Sequence, residues 1–80
     1  MESTYSSQVA AEVRAAFARA GKGRNELASI IGVTRPTASA RWAGSQPYTL
    51  DELATIAYAL RISVASLILP DVPPHSDTAA

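Results

Sequence analysis

The stretch Gly32–Gly44, GVTRPTASARWAG, decides how the rest of the chain is read. It opens and closes on glycine, which ends helices because it takes positive φ without strain. Thr34-Arg35-Pro36 reads as a helix start. Threonine is a favoured cap, and proline is tolerated in a first turn, where its missing N–H is not needed. Arg35, which precedes the proline, is an alternative cap. The spacing predicts a helix over Arg35–Ala43. Its apolar content is mostly alanine, with one large residue, Trp42. Val33, Ala38 and Trp42 form its inward stripe, leaving Arg35, Thr37, Ser39 and Ala40 on or near the outer face. A helix this small, polar and arginine-tipped asks for a role other than filling a core.

The elements around it are helical too. Val9, Val13, Ala16, Phe17 and Ala20 fall on one face of a helix from Tyr5 to about Ala20, with Ser6 or Ser7 as cap and Gly21 at its end. A short helix over Arg24–Ile31 follows the connector Gly21-Lys22-Gly23. Gly23 takes the cap position, Glu26 favours the positive end of the dipole, and Leu27, Ala28 and Ile31 face inward. After the loop Ser45–Tyr48, Thr49-Leu50-Asp51-Glu52 fits the capping-box pattern. It opens a helix over Leu50–Leu60 whose apolar face is Leu50, Leu53, Ile56, Ala57 and Leu60. A last short helix spans about Val64 to Leu69, capped by Ser63. The fold class is therefore all-α: a compact bundle of five helices over residues 1–69, with helices 2 and 3 in a helix-turn-helix arrangement. Residues 70–80, PDVPPHSDTAA, hold three of the five prolines and are expected to be a disordered tail.

The 80 residues carry no net charge, but the charges are not mixed evenly. Arg14, Arg19, Lys22, Arg24, Arg35 and Arg41 lie between Val13 and Thr49 against a single acid, Glu26. The rest holds Arg61 against Glu2, Glu12, Asp51, Glu52, Asp71 and Asp77. One basic half is enough to bind a polyanion, although chance clustering on a solvated surface gives the same count. There is no cysteine, hence no disulfide or thiolate metal site. The N-terminus lacks the basic patch and apolar core of a secretory signal, and no apolar run is long enough to span a bilayer, so a cytoplasmic location is expected. His75 stands in the tail between Pro74 and Ser76-Asp77, where no rigid catalytic triad or metal site can form. No enzyme, cofactor, metal or small-molecule ligand is expected.

The run ELASIIGVTRPTASARWAG (Glu26–Gly44), followed by TLDELATIAYAL (Thr49–Leu60), resembles the helix-turn-helix family of phage lambda repressor and Cro, also called the XRE family. The likeness extends from about Arg14 to Leu69. It includes the Glu-Leu-Ala opening of helix 2, the Gly-Val-Thr turn, Gly44 at the end of helix 3 and the Leu-Asp-Glu-Leu run of helix 4. The TRPT and PYTLDEL wording is most similar to repressor-type regulators of actinobacteria and their phages.

The resemblance implies a sequence-specific regulator, a phage-type repressor or Cro-like protein, that lays helix 3 in the major groove of double-stranded DNA. Base edges then fall to Arg35, Pro36, Thr37 and Ala40. Backbone phosphates fall to Lys22, Arg24, Asn25, Ser39, Arg41, Ser45 and Gln46, with Arg24 matching the family's second residue of helix 2. A homodimer on an inverted repeat is implied, reading half-sites about 34 Å apart. Val64, Leu67, Ile68 and Leu69 are the candidates for its interface. The chain departs from the family at Ala40, usually long and polar, at Arg41, often a core residue, and at Arg61, usually glycine. Arg61 either takes a positive φ or helix 4 ends differently.

Each assignment has a plainer competitor. Arg35 at the start of a groove-lying helix forks onto guanine O6 and N7, or it is a surface arginine. Thr37 touches a phosphate or a thymine methyl, or it is helix surface. Arg41 meets a phosphate, or it pairs with Asp51 or Glu52. Trp42 packs in the core rather than stacking on bases. Leu67, Ile68 and Leu69 form a two-fold interface, or they complete the monomer's own core. The competing functions are a helix-turn-helix module that binds protein instead of DNA, and an antitoxin that represses its own operon.

Overall fold

A computed structural model describes residues 5–68. They form five helices: α1 (Tyr5–Arg19), α2 (Arg24–Ile31), α3 (Arg35–Ala43), α4 (Leu50–Leu60) and α5 (Ala65–Ile68). There is no strand among the described residues. The architecture is the all-α bundle read from the sequence. Residues 70–80 and Leu69 lie outside the described residues. Among the described residues, no helix is long and apolar enough to cross a membrane.

Local chemistry explains the boundaries. α1 begins at Tyr5, so Ser6 and Ser7 lie within it and neither is its cap. It stops one residue short of Ala20, because the N–H of Lys22 turns back to the Phe17 carbonyl (2.9 Å). α4 has the full reciprocal capping box. Glu52 N–H donates to Thr49 Oγ1 and Thr49 N–H donates to Glu52 Oε1, both at 3.0 Å. Ser63 caps α5 by accepting from Ser66 N–H at 3.3 Å. α4 ends at Arg61 in the left-handed region (φ +59°, ψ +45°), the one non-glycine residue there among the described residues. Of the two endings open to helix 4, the chain takes the strained one.

α1 packs against α3 and α5, and α2 packs against α3 and α4. Phe17, Leu27, Ile56, Leu67 and Val13 are completely enclosed between them. The small Ala38 lets α3 sit close against this core. Phe17 meets Trp42 edge to face, ring centroids 5.4 Å apart and planes at 86°. Such a pair adds about 0.5–1.5 kcal/mol beyond area burial. Trp42 is half-buried and packs against the core, on the side its register implies.

Three expectations need correction. Leu50 is 77% exposed, because the first turn of α4 projects beyond the core it was expected to cover. Ala20 is exposed just past the end of α1, while Ala10, not included in the α1 face, is fully buried. Leu67 is buried in the monomer's own core and is not presented to a second chain. A helix of four residues turns a single side chain fully inward, and in α5 that residue is Leu67. Val64 and Ile68 remain half-buried at its edge.

Candidate nucleic-acid interface

Three residues, Gly32–Thr34, connect α2 to α3. Gly32 adopts φ +69° and closes α2, its N–H donating to the Ala28 carbonyl at 2.9 Å. Val33 N–H donates to the same carbonyl at 3.2 Å. Thr34 is the N-cap residue of α3, and its carbonyl accepts from Ala38 N–H at 2.9 Å. Its hydroxyl turns instead to the Thr37 hydroxyl (3.2 Å).

This tight connection sets the starts of the two helices side by side. Arg24 is the first residue of α2, rather than the second, and Arg35 is the first residue of α3. Both are exposed. Arg24, Asn25, Arg35 and Ser39 line one shallow cleft of about 100 Å³, completed by Ala28 and Ala38. Four expected contact residues from two helices therefore converge. Lys22 and Pro36 are exposed outside this cleft, and Thr37 is half-buried beside Thr34.

The electrostatics of the cleft are lopsided. A helix N-terminus carries partial positive charge, so an arginine in the first turn is disfavoured and an anion is favoured. α2 offsets this with Glu26, whose Oε1 accepts from Gly23 N–H at 2.7 Å. That bond holds its carboxyl below the ordinary carboxylate range. Gly23 has no side chain to return the favour, so only half of a capping box exists. α3 has no acid in its first turn and carries Arg35 there.

The far end of α3 is tied down through Ala40. Its carbonyl accepts from Gly44 N–H (3.1 Å), Ser45 N–H (3.0 Å), Gln46 N–H (3.3 Å) and the Ser45 hydroxyl (3.2 Å). Ser45 and Gln46, both exposed, are thus held beside Ala40. Gly44 makes this turn with φ +90° while pressed against α1. A Cβ there would stand 3.3 Å from Ala10 Cβ and Ser7 Cα.

Arg41 is not the free phosphate cation the resemblance implies. Its Nε lies 2.7 Å from Glu52 Oε1 and its Nη2 donates to Glu52 Oε2 at 3.1 Å. Its Nη1 donates to Gln46 Oε1 at 2.8 Å. Arg41 and Glu52 side chains keep only 15% and 13% of their exposure. The hydrogen bond from Arg41 lowers the Glu52 pKa, and the same bond raises that of Arg41. The ion pair, set against phosphate contact in the sequence, is the geometry present. Glu52 was legible as half of a capping box and, with Asp51, as a possible partner of Arg41; the structure selects Glu52. Arg14 was not singled out, although its Nη1 donates to the Trp42 carbonyl at 2.6 Å. Nothing in local spacing links residues 28 apart. No protein-family model, curated protein or solved structure matches the chain.

Proposed function

We propose that this chain is a sequence-specific double-stranded DNA-binding regulator of the repressor or Cro-like type, with α3 entering the major groove. The observation that carries the reading is the cleft in which Arg24 and Asn25 of α2 meet Arg35 and Ser39 of α3. Two helix starts, each bearing an arginine, favour a phosphate between them, which would fix the register of α3 on the duplex. Arg35 then reaches guanine, and the methyl of Ala40 suits a thymine methyl.

A two-fold partner belongs to this reading. Leu67 drops out of its interface, leaving Val64, Ile68 and Leu69 of the expected set. Ile68 lines an apolar groove of about 190 Å³ with Tyr5, Val9, Pro47, Tyr48, Leu50 and Leu53, and the proposal seats a second copy there. Tyr5 and Leu50 are exposed on the groove's rim, surface that a two-fold contact would cover.

The test is anisotropy binding to a randomised duplex pool across a salt series, with sequencing of the retained DNA. An enriched inverted repeat, with affinity falling steeply as salt rises, supports a dimeric sequence reader. Salt-sensitive binding without enrichment would make the chain a non-specific DNA coat. No binding at low salt would sink the DNA reading in favour of a protein-binding module.

A further inference from the structure

We propose that Glu52 is a charge governor on the DNA-facing end of α3: it holds Arg41 off the phosphate backbone and makes it brace Gln46 instead. This rests on the DNA-binding reading above. Arg41 follows Thr37 by four residues and Ala40 by one, so helical spacing puts it at the edge of the face that those residues share. The loop hydrogen-bonded to the Ala40 carbonyl sets Gln46 beside it. An unpaired arginine at that point would add a strong, sequence-blind phosphate contact. Glu52 grips it through two hydrogen bonds, in a sheltered position where water screens the pair poorly.

The brace has a directional consequence. A guanidinium only donates, so the Gln46 amide must turn its oxygen toward Arg41. Its NH₂ then faces outward as a donor. Such a glutamine binds an acceptor, here a phosphate oxygen, and is unable to make the donor-plus-acceptor pair that reads adenine. Glu52 is thus a positioning residue, acting through Arg41 on Gln46, and a limit on non-specific affinity.

Glu52→Gln tests this cleanly, because glutamine at that position preserves the capping box while removing the charge. The readout is the slope of log affinity against log salt for a random-sequence duplex, with thermal melts of every variant. Release of Arg41 to one phosphate steepens the slope by about 0.9, an extra loss of roughly 3.5-fold over a fourfold salt range. The double variant Glu52→Gln/Arg41→Met returns the slope to the wild-type value. An unchanged slope in folded Glu52→Gln overturns the proposal while leaving DNA binding intact. A steeper slope that persists in the double variant also overturns it, since the added contact is then not Arg41. If Glu52→Gln does not fold, the wild type decides by NMR. The Arg41 Nε–H resonance stays fixed on duplex addition while that of Arg35 moves; an equal shift of both overturns the proposal. No binding of any duplex by the wild type overturns both the governor and the DNA reading, and is told apart by the wild-type control alone.

Discussion

Arg14, in the middle of α1, donates from Nη1 to the carbonyl of Trp42 in the last turn of α3, at 2.6 Å. That carbonyl is among the last four of α3, which have no partner within the helix. A cation also suits the negative end of the helix dipole. One side chain therefore ties the end of α3 to α1, beside the packing of Trp42 on Phe17. Arg14→Met keeps the apolar stem and removes the donor. It is expected to cost about 1.5–3 kcal/mol of stability by urea denaturation, the range for a hydrogen bond to a charged group. Amide exchange in the last turn of α3 should quicken. Unchanged exchange there would mean the packing of Trp42 on Phe17 holds the helix end alone.

Gly32 and Gly44 end their helices in the same left-handed conformation, but their surroundings differ. A Cβ at Gly32 meets open space, whereas one at Gly44 meets Ala10 Cβ and the Ser7 backbone at 3.3 Å. Gly32→Ala should cost about 1 kcal/mol, for backbone strain alone. Gly44→Ala should cost about 2 kcal/mol, since α1 must also give way. Equal costs in chemical denaturation would show that α1 and the end of α3 are not in close contact.

Tyr48 carries a hydroxyl that is out of solvent and has no hydrogen-bond partner among the described residues. Burial pushes its pKa up to about 12. An orphaned buried donor costs about 1–3 kcal/mol relative to a satisfied one. Tyr48→Phe keeps the ring and deletes the orphan, so it should raise stability by roughly 1 kcal/mol, a gain of several degrees in Tm. A loss on substitution would mean that the hydroxyl has a partner after all, such as water or a second chain.

The sequence announced the helices well because punctuation and periodicity agreed at each of them. Gly32, Pro36, Gly44 and the Thr49–Glu52 capping box are local signals, and α2 ends, α3 begins and ends, and α4 begins where those signals stand. The placing of Arg24 and Arg35 at helix starts was legible for the same reason, but their convergence in one cleft appears only in the packed structure. The misses are of another kind. Leu50 fits the apolar stripe of α4 as well as Leu53 does, yet it is exposed and Leu53 is buried. Periodicity fixes a face and says nothing of how far the opposing element extends. The Arg14–Trp42 contact joins different helices, and only the packed bundle brings it about, whereas Arg41–Glu52 was open in the sequence as one of two readings of Arg41.

Arg35 and Arg24 share a cleft, but the proposed division of labour gives them different signatures. Arg35→Ala should relax base preference at one position of the selected site, by about 1–3 kcal/mol of discrimination. Arg24→Ala should weaken all sequences alike and reduce the salt slope by about 1. Competition binding with single-base operator variants separates the two. A uniform loss from both substitutions would make Arg35 a phosphate ligand and leave base readout to Thr37 and Ala40.

Acid should act on this fold through Glu52. The hydrogen bond from Arg41 lowers its pKa from an ordinary value of 4.5, so folding favours the ionised form. The stability this contributes is present above pH 4.5 and is lost as pH falls through the depressed folded value. Thermal melts taken from about pH 6 to about pH 3 should therefore show a falling Tm. Glu26 shifts in the same direction but is fully exposed, so its share is screened. Glu52→Gln, which retains the cap of α4, should flatten the acid limb more than Glu26→Gln does. Because Glu52 also holds Arg41 and, through it, Gln46, the loop after α3 should loosen over the same pH interval, visible as faster amide exchange at Ser45 and Gln46. Exchange that quickens only with global unfolding would show that the Ala40 carbonyl anchors the loop without help from the ion pair.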